Sequence, residues 1–100
     1  MTTIAVIWDA EVPETVDRNT PFESGHLTRT YETFSRMAAE HDAAVAIANH
    51  TWFDDGTLTQ AFIFDGDEWH REHDVDVDVV FDKYKWADDT LAMKEWISAN

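Results

Sequence analysis

Two uninterrupted apolar runs lie in the first half of the chain and predict strands. Residues 4–8 and residues 43–48 contain only apolar side chains, a pattern typical of strands buried on both faces of a parallel sheet. A stretch with helical spacing separates them, from residue 24 to about residue 41. The order strand, helix, strand predicts a βαβ unit with a right-handed crossover.

The predicted helix is amphipathic and begins at Ser24, whose hydroxyl is expected to cap the first turn. Its apolar positions recur at three- and four-residue intervals and share one face: Leu27, Tyr31, Phe34, Met37 and Ala38. Residues 9–24, before the helix, are mostly polar and contain both prolines, Pro13 and Pro21. A loop of this length in a compact domain is often functional or mobile.

The middle of the chain predicts antiparallel pairing. Asp55-Gly56 and Asp65-Gly66 each separate β-prone runs, and Asp-Gly is a strong signal for a tight turn. Residues 51–53 are expected to pair with residues 58–64, which in turn pair with residues 68–72. We expect these strands to form a small meander appended to the parallel sheet.

The last third of the chain predicts one more strand and a second helix. Asp alternates with Val from Asp74 to Asp78, and residues 79–81 continue the run without a polar position, as in a strand that passes from solvent into the core. A helix is expected from Asp88, with inward positions at Leu91, Ala92, Trp96 and Ile97. The predicted fold is a single α/β domain over residues 1–100. It is Rossmann-like, in two or three layers, with a mostly parallel sheet and two main helices.

Acidic residues dominate the composition and restrict the partners. The chain has 21 Asp and Glu against 7 Lys and Arg, a net charge of −14, which argues against nucleic-acid binding because a phosphate backbone is repelled. The acids are spread along the chain, whereas an acidic decoy that mimics DNA or binds a basic partner usually concentrates them on one face. We expect a halophilic source, because molar salt screens such self-repulsion within roughly 3 Å. The absence of a long apolar stretch and of a leader-like start predicts a cytoplasmic protein without a membrane span.

Common metal and phosphate motifs are missing or incomplete. The chain has no Cys and only three Gly, which excludes thiolate chemistry and a glycine-rich phosphate loop. The run from Asp74 to Asp78 resembles the start of a calcium loop, but Val79 and Lys85 occupy the positions that need Gly and Glu. His70 and His73 are expected on the surface, so no metal site is predicted.

Candidate binding residues closely follow the predicted parallel strands or begin the first helix. Asp9, His50 and the pair Asp82-Lys83 each come after an apolar run, and ligands of open α/β sheets bind outside the carboxyl ends of the strands. His26 and Arg29 lie at the start of the helix, where free N–H groups favour anions. For each position a plain capping or solvated role is the alternative. No catalytic residue is predicted.

Residues 53–84 resemble the second half of the pre-ATP-grasp domain of ATP-grasp ligases, most of all in the glutathione-synthetase-like and spore-coat-associated branches. In that family a β-hairpin leads through a Trp-containing strand to an apolar strand that ends in Asp-Arg, and residues 79–83 here read Val-Val-Phe-Asp-Lys. The first half of the chain agrees only in the order of its elements. Lys83 replaces the usual Arg, and an ammonium cannot reproduce the two-pronged grip of a guanidinium on a carboxylate.

The resemblance implies the N-terminal, substrate-side domain of an ATP-dependent carboxylate–amine or carboxylate–thiol ligase, catalytically inert by itself. It implies that this fragment holds no cofactor, that a downstream ATP-grasp domain of the same chain binds ATP and Mg²⁺, and that Asp82 and Lys83 help to shape a cleft for a small carboxylate. One alternative is a stand-alone binding or protein-interaction module with a Rossmann-like or flavodoxin-like sheet, whose acidic surface recognises a basic partner. Another is a small hydrolase that uses His50 with Asp9 or Asp82 as a general base.

Overall fold

The computed structural model describes residues 1–83. The second helix predicted from Asp88 lies outside the described residues. The regular elements of residues 1–83 are, in chain order, β1 (Thr2–Trp8), α1 (Gly25–Glu40), β2 (Ala43–Asn49), a 3₁₀ turn (His50–Trp52), β3 (Phe53–Asp54), β4 (Thr57–Phe64), β5 (Trp69–Asp76) and β6 (Val79–Asp82).

The strands form one mixed, curled sheet in the order β3-β4-β2-β1-β6, with β5 also paired to β4. Strand β1 is parallel to β2 and β6, whereas β4 is antiparallel to β2, β3 and β5. The predicted Rossmann-like fold with a mostly parallel sheet and two helices is therefore wrong, since the described residues form a mixed sheet with one helix. The antiparallel strands are not an appendage, because Ala46 and Ile47 of β2 pair directly with Ile63 and Phe62 of β4.

The two Asp-Gly turns explain why much of the sheet is antiparallel. Asp55 and Gly56 have positive φ angles of 50° and 83°, and Gly66 has a φ of 106°. The chain therefore reverses within a few residues, and β4 pairs with β3 and then with β5. Such short reversals leave no length for the crossover that parallel pairing requires.

The single strand predicted from residue 74 to residue 81 is interrupted, because Val77 and Asp78 separate β5 from β6. The Asp78 N–H donates to the Thr3 carbonyl (3.0 Å), and the Asp78 carboxylate accepts from the Thr3 N–H (2.8 Å). The Val77 N–H donates to the Gly56 carbonyl (3.0 Å). These bonds join the antiparallel half of the sheet to β1 across two residues, which requires the sheet to curl.

Small side chains on one face of β2 are compatible with this curvature. Ala46 and Ala48 alternate with Val45 and Ile47, so the small and the large side chains point to opposite faces. All four residues are buried. A face lined by methyl groups can bend inward with little steric overlap, while the larger side chains supply packing volume on the other face.

Helix α1 packs on the sheet with only part of its predicted apolar stripe. The Ser24 hydroxyl caps the helix as predicted, because it accepts a hydrogen bond from the N–H three residues later (3.1 Å). Ser35 and Ala38 are buried, whereas Phe34 and Met37, predicted to face inward, are 36% and 56% exposed. The helix therefore leaves apolar side chains at the surface. No helix within residues 1–83 has both the length and the hydropathy to cross a membrane.

Residues 10–23 form a loop that packs on the sheet. Four of its apolar side chains are buried: Val12, Val16, Pro21 and Phe22. Side chains from the sheet region hold its backbone, since Trp52 Nε1 donates to the Glu14 carbonyl (3.1 Å) and Arg71 Nη2 donates to the carbonyls of Val16 and Arg18. The loop is therefore part of the packed core, and it positions Asp9, the residue that precedes it.

Candidate functional site

The carboxyl ends of β2, β1 and β6 meet at one edge of the sheet. In the parallel registers, Trp8 is opposite Asn49 and Ile7 is opposite Asp82. Lys83 continues beside β1, since its N–H donates to the Ile7 carbonyl (2.8 Å). We call this edge the carboxyl edge, and the residues that follow its strands are Asp9, His50 and Lys83.

Asp9 and His50 are neighbours at the carboxyl edge, with 3.4 Å between Asp9 Oδ1 and His50 Nε2. The His50 side chain is only 12% exposed, whereas the Asp9 side chain is 59% exposed. The imidazole is therefore fixed in the protein, and the carboxylate faces solvent.

Asn49 fixes the backbone on both sides of this pair, a positioning role that the sequence pattern, which places Asn49 beside His50 at this edge, does not show. The residue is 3% exposed. Its Nδ2 donates to the carbonyls of Asp9 (3.2 Å) and Val12 (2.7 Å), and its Oδ1 accepts from Thr51 N–H (2.9 Å) and Thr51 Oγ1 (2.6 Å). The one signal in the sequence is an Asn two residues before a Thr after an apolar run, which favours a turn of this kind.

His26 and Arg29 lie in the first part of α1, and both are exposed. Because α1 connects β1 to the parallel strand β2, the helix must begin at the carboxyl edge and run back to the other edge. The Arg29 guanidinium lies against the first turn, where its Nη1 would be 3.3 Å from a Cβ added at Gly25. The structure therefore places a cation at the helix start, on the same side of the molecule as His50.

Asp82 ends β6, and only its backbone is described. Lys83 follows with an exposed side chain and lines a groove between α1 and β6 together with Tyr31. Burial raises the pKa of Tyr31 above its usual value, because a charged phenolate would lose its hydration. Tyr31 therefore offers a neutral hydroxyl at neutral pH.

His70 lies at the opposite edge of the sheet, near the start of β5, and it is exposed as predicted. Its Nε2 is 2.6 Å from Asp65 Oδ2. Hydrogen bonds from the N–H groups of Glu68 and Asp67 and from His70 lower the pKa of Asp65 to about 2, and the bond with Asp65 raises the pKa of His70. These contacts stabilise a turn. Among residues 1–83, no group of three or more His, Asp or Glu is arranged to hold a metal ion.

The carboxyl edge offers groups for binding, and the nearby hydroxyl is not set up for nucleophilic attack. A hydroxyl nucleophile needs a base that removes its proton, but Thr51 Oγ1 donates to Asn49 Oδ1. The hydrolase alternative, in which His50 acts as a general base with Asp9 or Asp82, stays a prediction.

Comparisons with known proteins found no matching family model, curated protein or solved structure. We therefore infer function from the residues of the carboxyl edge.

Proposed function

We propose that this chain is the substrate-side module of a longer ATP-dependent carboxylate–amine or carboxylate–thiol ligase of the ATP-grasp type. In this proposal the carboxyl edge forms one wall of a substrate cleft. A downstream ATP-grasp domain of the same protein supplies the other wall and binds ATP and Mg²⁺. The module binds a small carboxylate and performs no chemistry by itself. We further propose that it works in the cytoplasm of a halophile, which its net charge of −14 supports.

The observation that carries the proposal is the 3.4 Å contact between Asp9 and His50 at the ends of two adjacent parallel strands. Ligands of sheets with parallel strands bind at this end. Lys83 follows the third parallel strand, and Arg29 lies near the helix start. Two cations in a chain that otherwise repels anions favour a site for a carboxylate over a site for a cation.

The groups of the edge support distinct binding roles. His50, held beside Asp9, forms part of this wall of the cleft. Lys83 can compensate the negative charge as a mobile point charge, a looser contact than the Arg of the similar family would make. Asn49 acts through the backbone of its neighbours and positions the pair.

The coding sequence beyond codon 100 tests the proposal first. We expect an open frame that continues into a domain with the lysines and acidic metal ligands of an ATP-grasp fold. A stop codon at position 101, or a continuation without that pattern, contradicts the proposal. As a second test, calorimetry on the 100-residue chain should detect no Mg²⁺-dependent ATP binding, and tight nucleotide binding would contradict the assigned role.

A stand-alone interaction module is the second candidate, because apolar side chains are exposed on β6. Val79 and Phe81 are 41% and 49% exposed, and a contiguous exposed apolar surface is typical of a binding face. Affinity capture with the intact chain in molar KCl should then recover a partner at a stoichiometric ratio, which a Phe81→Ser variant no longer retains. Equal recovery by both chains contradicts this candidate.

A further inference from the structure

The chain contains two Asp-Gly pairs, Asp55-Gly56 and Asp65-Gly66, and they lie in the turns before and after β4. An Asp that precedes a Gly is chemically labile, because the backbone nitrogen of the Gly can attack the side-chain carboxyl carbon of the Asp and no Cβ obstructs its approach. The reaction needs a carboxyl group that is free to move and a backbone that can rotate. The two turns differ in both respects.

The Asp65 carboxylate is held on both of its oxygens. Its Oδ1 accepts from the N–H groups of Asp67 and Glu68, each at 2.9 Å, and its Oδ2 is 2.6 Å from His70 Nε2. Attack by the Gly66 nitrogen would require these contacts to break. The same contacts lower the pKa of Asp65 to about 2, so this carboxyl is ionised at neutral pH, whereas water leaves from the protonated form.

The Asp55 carboxylate, in contrast, is exposed and makes no hydrogen bond or ion pair with any described residue. The Gly56 N–H, whose nitrogen is the nucleophile of the reaction, likewise has no acceptor among the described residues. Asp55 has a φ of 50°, a conformation that is unfavourable for a residue with a Cβ. The turn joins β4 to β3, a strand of only 2 residues, and so short a pairing opens locally at little cost.

We infer that Asp55 is a site of spontaneous isomerisation to a β-linked aspartate, and that Asp65 is protected from the same reaction. The Gly56 nitrogen forms a bond to Asp55 Cγ and loses its proton, while the carboxyl group loses its OH, so that one water leaves and a cyclic succinimide forms. Water then adds either to Cγ, which restores the normal aspartate, or to the main-chain carbonyl carbon, which leaves the chain linked through Cγ. The sequence of steps consumes no oxidant, reductant or cofactor.

The product alters the sheet near the link between the antiparallel strands and β1. A β-linkage adds one methylene group to the backbone of a turn whose φ angles of 50° and 83° fit a tight hairpin. The Gly56 carbonyl accepts from the Val77 N–H (3.0 Å), in the break between β5 and β6, and a displaced turn weakens this bond. The inference goes beyond the ligase proposal and does not depend on it, because neither turn belongs to the carboxyl edge.

The test ages the 100-residue chain at neutral pH in buffered KCl, below its unfolding transition, and then maps the tryptic peptide of residues 37–71, which carries both Asp-Gly pairs. Electron-transfer fragmentation distinguishes the β-linked from the normal residue at each position. In the folded chain we expect Asp55 to isomerise at least about tenfold faster than Asp65, a difference of about 1.4 kcal/mol in activation free energy. In the urea-unfolded chain the two rates should become similar, because both turns are lost.

Two variants test the protection of Asp65. His70→Val removes the contact to Oδ2 and should speed isomerisation at Asp65 several-fold without changing the rate at Asp55. His73→Val, which replaces another exposed His of β5, should alter neither rate. Equal rates at the two sites of the folded chain, a faster reaction at Asp65, or isomerisation at Asp55 only after unfolding would overturn the inference. An unchanged Asp65 rate in the His70→Val chain would overturn the protection assigned to the Asp65–His70 contact.

Discussion

Replacing Asn49 with Ala should destabilise the protein by about 3 kcal/mol. The substitution removes four hydrogen bonds. The bond to the Val12 carbonyl is buried, and leaving that oxygen unpaired costs about 1–3 kcal/mol. The bonds to the Asp9 carbonyl and to Thr51 are partly buried. Water can replace them in part, so we assign them the low end of the range for a net hydrogen bond, about 0.5 kcal/mol each.

Urea unfolding at a fixed KCl concentration, followed by tryptophan fluorescence, measures this loss. Thr51→Val is the matched control, because it removes only the bond from Oγ1 to Asn49 Oδ1 and should cost no more than about 1 kcal/mol. A loss below about 1 kcal/mol for Asn49→Ala, or equal losses for the two variants, would refute the assignment of Asn49 as the residue that fixes the loop to the carboxyl edge.

Three other properties can be tested. The thermal midpoint should be higher in molar KCl than in dilute buffer, because salt screens the net charge of −14; an equal or higher midpoint in dilute buffer contradicts a halophilic origin. Arg71→Met should lower the free energy of unfolding in urea by about 2–4 kcal/mol, because it removes the hydrogen bonds to the Val16 and Arg18 carbonyls and the stacking of Arg71 on Phe62. A loss below about 1 kcal/mol would show that other contacts hold the loop. The Asp65–His70 pair should stabilise the fold fully between about pH 3.9 and about pH 6.5, the pKa values of Asp and His in the unfolded chain. This contribution is lost as the pH rises through the raised pKa of His70 and as it falls through about 2, the lowered pKa of Asp65. Asp65→Asn should lower the His70 pKa in an NMR titration, and an unchanged value contradicts the pairing.

The local elements follow from the sequence better than their assembly does. The apolar runs at residues 4–8 and 43–48 predict parallel strands, and they pair in parallel. The Asp-Gly turns predict the reversals around β4, but they carry no information on where β4 lies in the sheet. That position depends on the contact of Ala46 and Ile47 with Ile63 and Phe62, which local patterns do not show.

The break between β5 and β6 could not be predicted for a similar reason. The alternation from Asp74 to Asp78 looks like one continuous strand, but the backbone N–H and the carboxylate of Asp78 both bond with the backbone of Thr3, 75 residues earlier in the chain. The exposure of Phe34 and Met37 also depends on how α1 sits on the sheet. Helical spacing shows which residues share a face, and it does not show how much of that face finds a partner.

Only part of the candidate site could likewise be predicted from the sequence. A common edge for Asp9 and His50 could be expected, because parallel strands end on the same side. The role of Asn49 could not be predicted, because the side-chain amide donates to backbone carbonyls that lie 37 and 40 positions away in the chain. The groove could not be predicted either, since it is lined by Phe34 of α1 and Phe81 of β6, which are far apart in the sequence.

Steady-state kinetics of the protein encoded by the full reading frame show whether the carboxyl edge binds the carboxylate substrate. If the carboxyl edge is the substrate wall of a ligase, His50→Gln should raise the KM for the carboxylate substrate at least about tenfold and leave the KM for ATP unchanged. Asp54→Asn, which changes an exposed acid on β3, should alter neither value. A His50→Gln enzyme with an unchanged KM for the carboxylate, or with an equal change in the KM for ATP, would contradict the account.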